Sequence, residues 1–520
     1  MNSMRSMTDR RWFWGALAAA AVAVAGCVTN PVTGESEFGF IGEAQEIEMG
    51  EESYFAGRQA EGGDYRLDPE LTKYVNEVGQ RLAAVSDRKL PYEFVVINSS
   101  VPNAWALPGG KIAVNRGLLT ELNSEAELAA VLGHEIVHAA ARHGAKSVER
   151  GTLLEIGVLA IGVATADSDY GALAAIGASL GAGLIAQKYS RDAELQSDLY
   201  GMRYMSRAGY DPAAAITLQE TFVRLAEGKD SNWLAGLFAS HPPSKERVDT
   251  NRETAKTLSA TGERGDERFK QKTAHLYKVK PAYEAYDEGR KALGKREYDR
   301  AMALADTAIA IEPKEANFYA LRGDAQLKHK RYPDALREYS EAIRRDDRFF
   351  YHFLQRGLTY NQLGDRAAAR RDLKASYDLL PTKKAAGVLG RMAYDDGDRR
   401  EAANFLRQAA DAESDDGREA ARLLARIDPG DPNRYIRIRP YRDRRGDVWL
   451  TLTNTAPVTV RDVSISAQYR DPKGKVWNYS TSVSRISGAG GIATIPTSFN
   501  APDDKALRGV SLRITRAQVE

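Results

Sequence analysis

Gly289, Gly323 and Gly357 stand 34 residues apart, twice over, and Ala301, Ala335 and Ala369 keep the same period. Pro313 and Pro381 lie two periods apart, and Tyr339 and Leu373 fill one apolar slot. A fixed repeat of this length constrains a chain more than its composition does, because each unit must bury its apolar face against the next. Glycine suits the place where two helices approach closely, and alanine lets the second helix nest. Proline ends the unit. A fourth copy, with Gly390, Ala402 and Ala409, arrives one residue early. An α-solenoid over residues 283–428 is expected.

The pattern resembles the tetratricopeptide repeat, whose stacked helix–turn–helix units form a groove for peptides or partner proteins. The remainder of the 520 residues leaves room for about two further domains at ~150 residues each. Past Pro429 the segments 435–441, 447–454, 459–470 and 475–486 alternate apolar with polar residues between turn signals. They predict a β-rich, sandwich-like domain over 433–520, of unknown role. Lys and Arg exceed Asp and Glu by 73 − 71 = 2, which gives no push toward nucleic acid, and none is expected as a partner.

At the other end, Arg5, Arg10 and Arg11 precede an apolar run from Trp12 to Gly26. The run is short for a bilayer span and suits a signal peptide. It closes on Val24-Ala25-Gly26-Cys27, and Cys27 is the only cysteine. A lone cysteine cannot make an internal disulfide, and small residues before it resemble a bacterial lipobox. That implies a lipoprotein signal peptide over 1–26, a lipid on Cys27, and a tether over 27–39. Val28 rather than Asp after the cysteine favours the outer membrane by the same resemblance. A plain signal peptide with an incidental cysteine is the alternative.

Residues 40–260 mix helical patterns with two strand-like stretches, 92–100 and 110–119. Ser124 and Glu127 have the spacing of a capping box at the start of a helix running to about Arg142. The apolar segments 152–165 and 171–186 predict a tightly packed buried helical hairpin, with a membrane-facing hairpin as the alternative. Residues 261–282 are expected as a linker. The fold class is therefore multidomain: a mainly α domain with a small sheet (α+β), an α-solenoid and a β-rich tail.

The chemistry sits in 133-GHEIVHAAARHG-144. On a helix His134 and His138 share one face, so both imidazoles can aim at one metal ion. Glu135 can serve a water that the metal activates, taking its proton and delivering it to the leaving amine. His143 falls off that face and is expected at the surface or in a second layer. A third ligand is needed. Glu194 and Asp198 are again four apart, and spacing alone leaves a solvated acidic face as open as a ligand pair.

His-Glu-Ile-Val-His followed about 55 residues later by Glu-Leu-Gln-Ser-Asp resembles the gluzincin peptidases that include the CaaX prenyl peptidase and the heat-shock membrane peptidase. The resemblance implies one Zn2+ per chain, held by His134, His138 and Glu194, with Asp198 behind a ligand histidine. It continues in 103–119, similar to the family's substrate-pairing edge strand. Asn103, Trp105, Ala106, Leu107, Gly109 and Gly110 become candidate substrate contacts, with strand addition along 105–114. It continues again in 240-SHPPSKERV-248, which implies His241 for the oxyanion or a resting zinc ligand, and Arg247 for orientation.

Lipobox, tether, peptidase and repeats together resemble a Gram-negative periplasmic member of that family that assists outer-membrane barrel assembly; the β-rich tail departs from it. The reading is a lipid-anchored periplasmic zinc endopeptidase acting on misfolded or stalled envelope proteins, with the repeats docking substrates or the outer-membrane assembly machinery. Two alternatives remain open. One is a chaperone or scaffold whose peptidase site is normally closed by His241. The other is an adaptor whose β-rich tail binds peptidoglycan or another envelope surface.

Overall fold

The structure, a computed structural model, describes residues 27–150, 188–228, 241–258, 261–410, 414–427, 436–454, 458–470, 475–488, 490–501, 507 and 510–519. The expected signal peptide and the apolar pair 152–165 and 171–186 lie outside the described residues. Two units are distinct, Met1–His352 and Phe353–Glu520. Among the described residues no helix is long and apolar enough to cross a membrane.

The first unit opens with a short ribbon, β1 (Cys27–Thr29) against β2 (Ser36–Phe38). Helices α1 (Glu43–Ala60) and α2 (Pro69–Ala83) follow. Next come three strands, β3 (Glu93–Ile97), β4 (Ala104–Leu107) and β5 (Lys111–Asn115). Their order is β3-β5-β4, with β5 parallel to β3 and antiparallel to β4. All five residues of β5 are buried, as a central strand rich in apolar side chains should be. The turn from β4 to β5 needs Gly109 and Gly110 at φ of +76° and +87°. A Cβ on Gly109 would meet the Ile47 backbone at 2.6 Å.

A short helix, α3 (Arg116–Leu119), leads to α4 (Glu125–Ala140), whose sixteen residues are all buried. Its start is half a capping box. The Ser124 hydroxyl accepts from the Glu127 N–H at 3.1 Å, but the Glu127 carboxylate takes the N–H of Asn123, at 2.7 Å, rather than that of Ser124. Its end turns on Arg142, at a left-handed φ of +64°. Helices α5 (Arg191–Arg207), α6 (Ala214–Gly228) and α7 (Lys245–Thr257) complete the peptidase region. Helices α2, α5 and α6 and strand β4 all pack on α4.

Residues 266–294 form one helix, α8 (Asp266–Gly294), so the expected linker over 261–282 is corrected. The reason is apolar spacing: Phe269, Leu276 and Val279 lie on one face and join the core that holds α4. The end of α8 pairs with α9 (Tyr298–Ile311), and α10 (Ala316–Lys328) with α11 (Tyr332–Arg345). The glycine of each hairpin touches the next helix. A Cβ on Gly323 would lie 2.8 Å from the Tyr339 ring.

The second unit continues the same hairpins through α12 (Phe350–Leu363), α13 (Arg366–Leu379), α14 (Lys383–Asp395), α15 (Arg399–Ala409) and α16 (Asp415–Ile427). Gly357 faces Leu373 and Gly390 faces Leu406, so the slot of Tyr339 recurs in each copy. Two three-stranded sheets follow. One orders β6 (Ile436–Arg442), β7 (Asp447–Asn454) and β10 (Ile492–Asn500) as β10-β7-β6. The other orders β8 (Val460–Arg470), β9 (Val476–Ile486) and β11 (Val510–Val519) as β11-β8-β9. Leu450 and Leu452 of one sheet share a core with Val463 and Ile465 of the other, which makes a sandwich.

Helices α4 and α5 meet at Gly133 and Gly201. A Cβ on Gly201 would stand 3.1 Å from the His134 nitrogen and 3.2 Å from the Gly133 carbonyl carbon, both rigid helix backbone. Gly201→Ala should therefore push the helices apart and cost about 1–3 kcal/mol, read as a lower denaturant midpoint with an unchanged slope.

Candidate metal centre

Helix periodicity sets His134 and His138 one turn apart on α4, and Glu194 and Asp198 one turn apart on α5. The close crossing at Gly133 and Gly201 brings the two pairs together. His241 arrives from the segment before α7, fixed by Pro242 and Pro243 and by the N-cap Ser244, whose hydroxyl accepts from the Arg247 N–H.

Four side chains converge. His134 Nε2 lies 3.0 Å from His138 Nε2 and 3.4 Å from His241 Nδ1. Glu194 Oε1 lies 3.0 Å from His241 Nδ1 and 3.3 Å from His138 Nε2, and Oε2 is 3.5 Å from His134 Nε2. A tetrahedron with bonds of about 2.0–2.1 Å has edges of roughly 3.3 Å; these distances lie near it, and one ligand atom from each of the four lies within 4.8 Å of the others, so the four can close on one small cation. The donors are imidazole and carboxylate, all buried, which suits a borderline metal.

Their partners fix which nitrogen faces inward. Asp198 Oδ1 sits 2.9 Å from His134 Nδ1, so that nitrogen donates to Asp198 and Nε2 is the one turned to the centre. A longer chain does the same for His138. The Gln196 side-chain oxygen can only accept, so His143 Nε2 donates to it at 2.7 Å. His143 Nδ1 then accepts from His138 Nδ1 at 2.9 Å, leaving His138 Nε2 free for the centre. Burial lowers His143 to about 4, so it is neutral at pH 7 as this chain requires. His143 thus lies in a buried second layer, not at the surface. Its reach to Gln196 could not be read from spacing, because Gln196 is on another helix.

Arg247 balances the acids. Its Nε and Nη2 donate to the two oxygens of Asp198, both at 2.7 Å, and Nη1 lies 2.8 Å from Glu194 Oε2. Burial would raise both carboxyls. For Asp198, Arg247 outweighs it; for Glu194, His241 and His134 do, and both stay below the usual range. Burial also opposes charge on His134, but Glu194 and Asp198 outweigh it and hold that imidazole up to about 10. Burial drives His138 well below its ordinary value.

Glu135 does not join the four. It is buried, its Oε2 has no hydrogen-bond partner among the described residues, and its Oε1 lies 3.6 Å from His241 Nε2. Burial raises its pKa. A buried carboxylate beside a metal cradle, free to accept a proton, is equipped for general-base work. Tyr189, which sequence reasoning missed, stacks on His138 with ring centroids 3.9 Å apart.

The strand expected to pair with substrate is only partly an edge. Lys111–Val114 lie in β5, bonded on both sides, so strand addition is confined to β4. Trp105 packs edge-on against Tyr54, and Leu107 shares that cluster, while Ala106 enters the main core. A Cβ on Gly110 would meet Tyr92 at 2.8 Å. These side chains hold the sheet in place, and what β4 offers outward is backbone. Asn103 is buried, and its side-chain oxygen has no hydrogen-bond partner among the described residues.

Paired histidines, a carboxylate ligand set and a separate buried base define a metallopeptidase. The family model for peptidase family M48 matches residues 69–255. The metalloprotease LoiP of Escherichia coli K12 is 30% identical over 196 residues, covering 37% of this chain and 71% of its own. The chain belongs to peptidase family M48 and is a metalloendopeptidase. It is similar to the beta-barrel assembly-enhancing protease of the same organism, 26% identical over 422 residues, covering 76% of this chain and 82% of that one. A relative from Vibrio cholerae serotype O1 is 33% identical over 199 residues, 36% of this chain but only 40% of its own length.

Replacing Asp198 by Asn, or His143 by Phe, unlocks a ligand tautomer. Each should weaken metal binding by about 10–100-fold, read by chelator competition. Binding at His134 must also displace its proton. Calorimetry of chelator-stripped protein in two buffers of unlike ionisation enthalpy should show about one proton released per metal at pH 7.5. The release should fade as pH rises toward 10.

Proposed function

We propose that the protein is a zinc-dependent endopeptidase of the Gram-negative periplasm, lipid-anchored through Cys27 and resting in a closed state. One observation carries the resting state. His241 Nδ1 occupies the fourth corner, 3.4 Å from His134 Nε2 and 3.0 Å from Glu194 Oε1. A catalytic centre keeps that corner open. The assignments are His134, His138 and Glu194 as ligands, His241 as a displaceable fourth, and Glu135 as base. Asp198, His143 and Arg247 hold them in place.

Zinc, when bound, supplies Lewis acidity toward a water and a substrate carbonyl. For turnover His241 must move off Glu194. An unfolded segment then adds along β4 by backbone hydrogen bonds. Glu135 takes the proton of the attacking water and passes it to the leaving nitrogen.

The relative named for enhancing beta-barrel assembly supports misfolded or stalled outer-membrane proteins as substrates, and the repeats as docking sites for them or for the assembly machinery. The same closed site favours a second reading, a scaffold or chaperone whose repeats act while the peptidase is shut.

Glu135→Gln should bind zinc yet lose at least 100-fold in cleavage of an unfolded protein. His241→Ala should cut faster than wild type if His241 closes the site. A slower His241→Ala with intact metal would overturn the closed state, and no bound zinc in wild type would overturn the ligand set.

A further inference from the structure

Behind Glu135 lies a cavity of about 40 Å³ that also reaches His134, Asp198 and Ala104 of β4. Its walls are apolar, among them Val131, Met205, Leu218 and Phe222. Three polar side chains from three helices also line it: Ser197 of α5, Gln219 of α6 and Asn251 of α7. They are 0%, 5% and 1% exposed. The Ser197 hydroxyl, the Gln219 oxygen and both amide atoms of Asn251 have no hydrogen-bond partner among the described residues. Glu135 Oε2 is in the same condition. Buried polar atoms without partners are costly. Here they gather in one cavity that opens on the reacting groups.

We infer that this cavity is the specificity pocket for the residue just after the scissile bond, and that Gln219 and Asn251 select a side chain with an aliphatic stem and an amide end, glutamine foremost. The inference rests on the peptidase reading above. Glu135 delivers its proton to the leaving nitrogen, so that nitrogen lies beside Glu135. The side chain one bond further along enters the cavity that Glu135 lines. One water needs roughly 10–15 Å³, so ~40 Å³ admits about three water-sized groups, comparable to the Cγ, Cδ and amide end of a glutamine. The walls suit the stem. Asn251 offers both a donor and an acceptor, and Gln219 a further acceptor, which an amide can satisfy together. Arg247, the cation at the rim, is already committed to Asp198 and Glu194, so a substrate carboxylate finds no free charge.

The test is a mixed peptide library, digested by the full chain, with cut sites read by mass spectrometry. Wild type is compared with Gln219→Leu, Asn251→Leu and Glu135→Gln, each also in a His241→Ala background that keeps the site open. Glutamine should be enriched after the cut, and either leucine variant should shift that preference toward leucine and methionine by roughly 5–10-fold. Melting temperature is the second readout. Groups kept for substrate should be dispensable to the fold, so the leucine variants should melt at or above wild type. A lower melting temperature with an unchanged cleavage profile would make the amides structural and overturn the pocket. Glu135-dependent cutting with no preference after the cut, or with one that the variants leave alone, also overturns it. If no cutting depends on Glu135, the peptidase reading falls first and the pocket with it.

Discussion

Three carboxylates are buried within one site, Glu135, Glu194 and Asp198, and one guanidinium, that of Arg247, touches two of them. With all three ionised and no proton on the inward histidine nitrogens, as metal binding requires, the sum is −3 + 1 = −2. Isolated buried charge is among the most expensive things a fold can contain. A divalent cation between the histidines and Glu194 brings the sum to zero. The geometry of the donors and the electrostatics of their surroundings therefore ask for the same ion, and neither argument uses the other.

That balance depends on helices held at close range. Helix α4 is buried on every side, so His134 and His138 cannot drift toward solvent. Its two ends are tied. Ser124 caps the start, and Arg142 at the other end places its guanidinium on Glu46 of α1, itself fully buried and also bonded by Arg88 at 2.8 Å. The rest of the site comes from outside α4: α5, locked to it at Gly133 and Gly201, brings Glu194 and Asp198, and the segment before α7 brings His241. This division suits a site whose metal cradle must be fixed while one ligand moves.

Local patterns were legible in the sequence because they follow from one element at a time. The i, i+4 pairs on α4 and α5 needed only helix geometry, and the 34-residue repeat needed only counting. The glycine slots facing Tyr339, Leu373 and Leu406 show why that period is kept. Pairings between elements were not legible. Nothing in the spacing tells that His143 meets Gln196, that Tyr189 covers His138, or that β5 is central rather than edge. The stretch 261–282 looked like a linker because its apolar residues are sparse among lysines and glutamates. One face of α8 was enough to bury it. Strands β10 and β11 escaped notice because Pro496 and irregular register interrupt their alternation.

The proposed closure by His241 would give the repeats a reason to share a chain with the peptidase. A site that cuts unfolded segments on encounter would also cut proteins still on their way to folding. His241 lies 3.0 Å from Glu194 Oε1 and 3.6 Å from Glu135 Oε1, so in the proposed closed state one side chain would block both the base and the open coordination position. Moving one imidazole frees both. The energy to move it must come from a ligand that favours the open state over the closed one, since a ligand indifferent to the two shifts nothing. A substrate that engages β4 and the repeats together supplies such a difference only if it is long, extended and unfolded. Closure by His241, as proposed, would thus act as a filter on the substrate's conformation, placed ahead of any preference for its sequence.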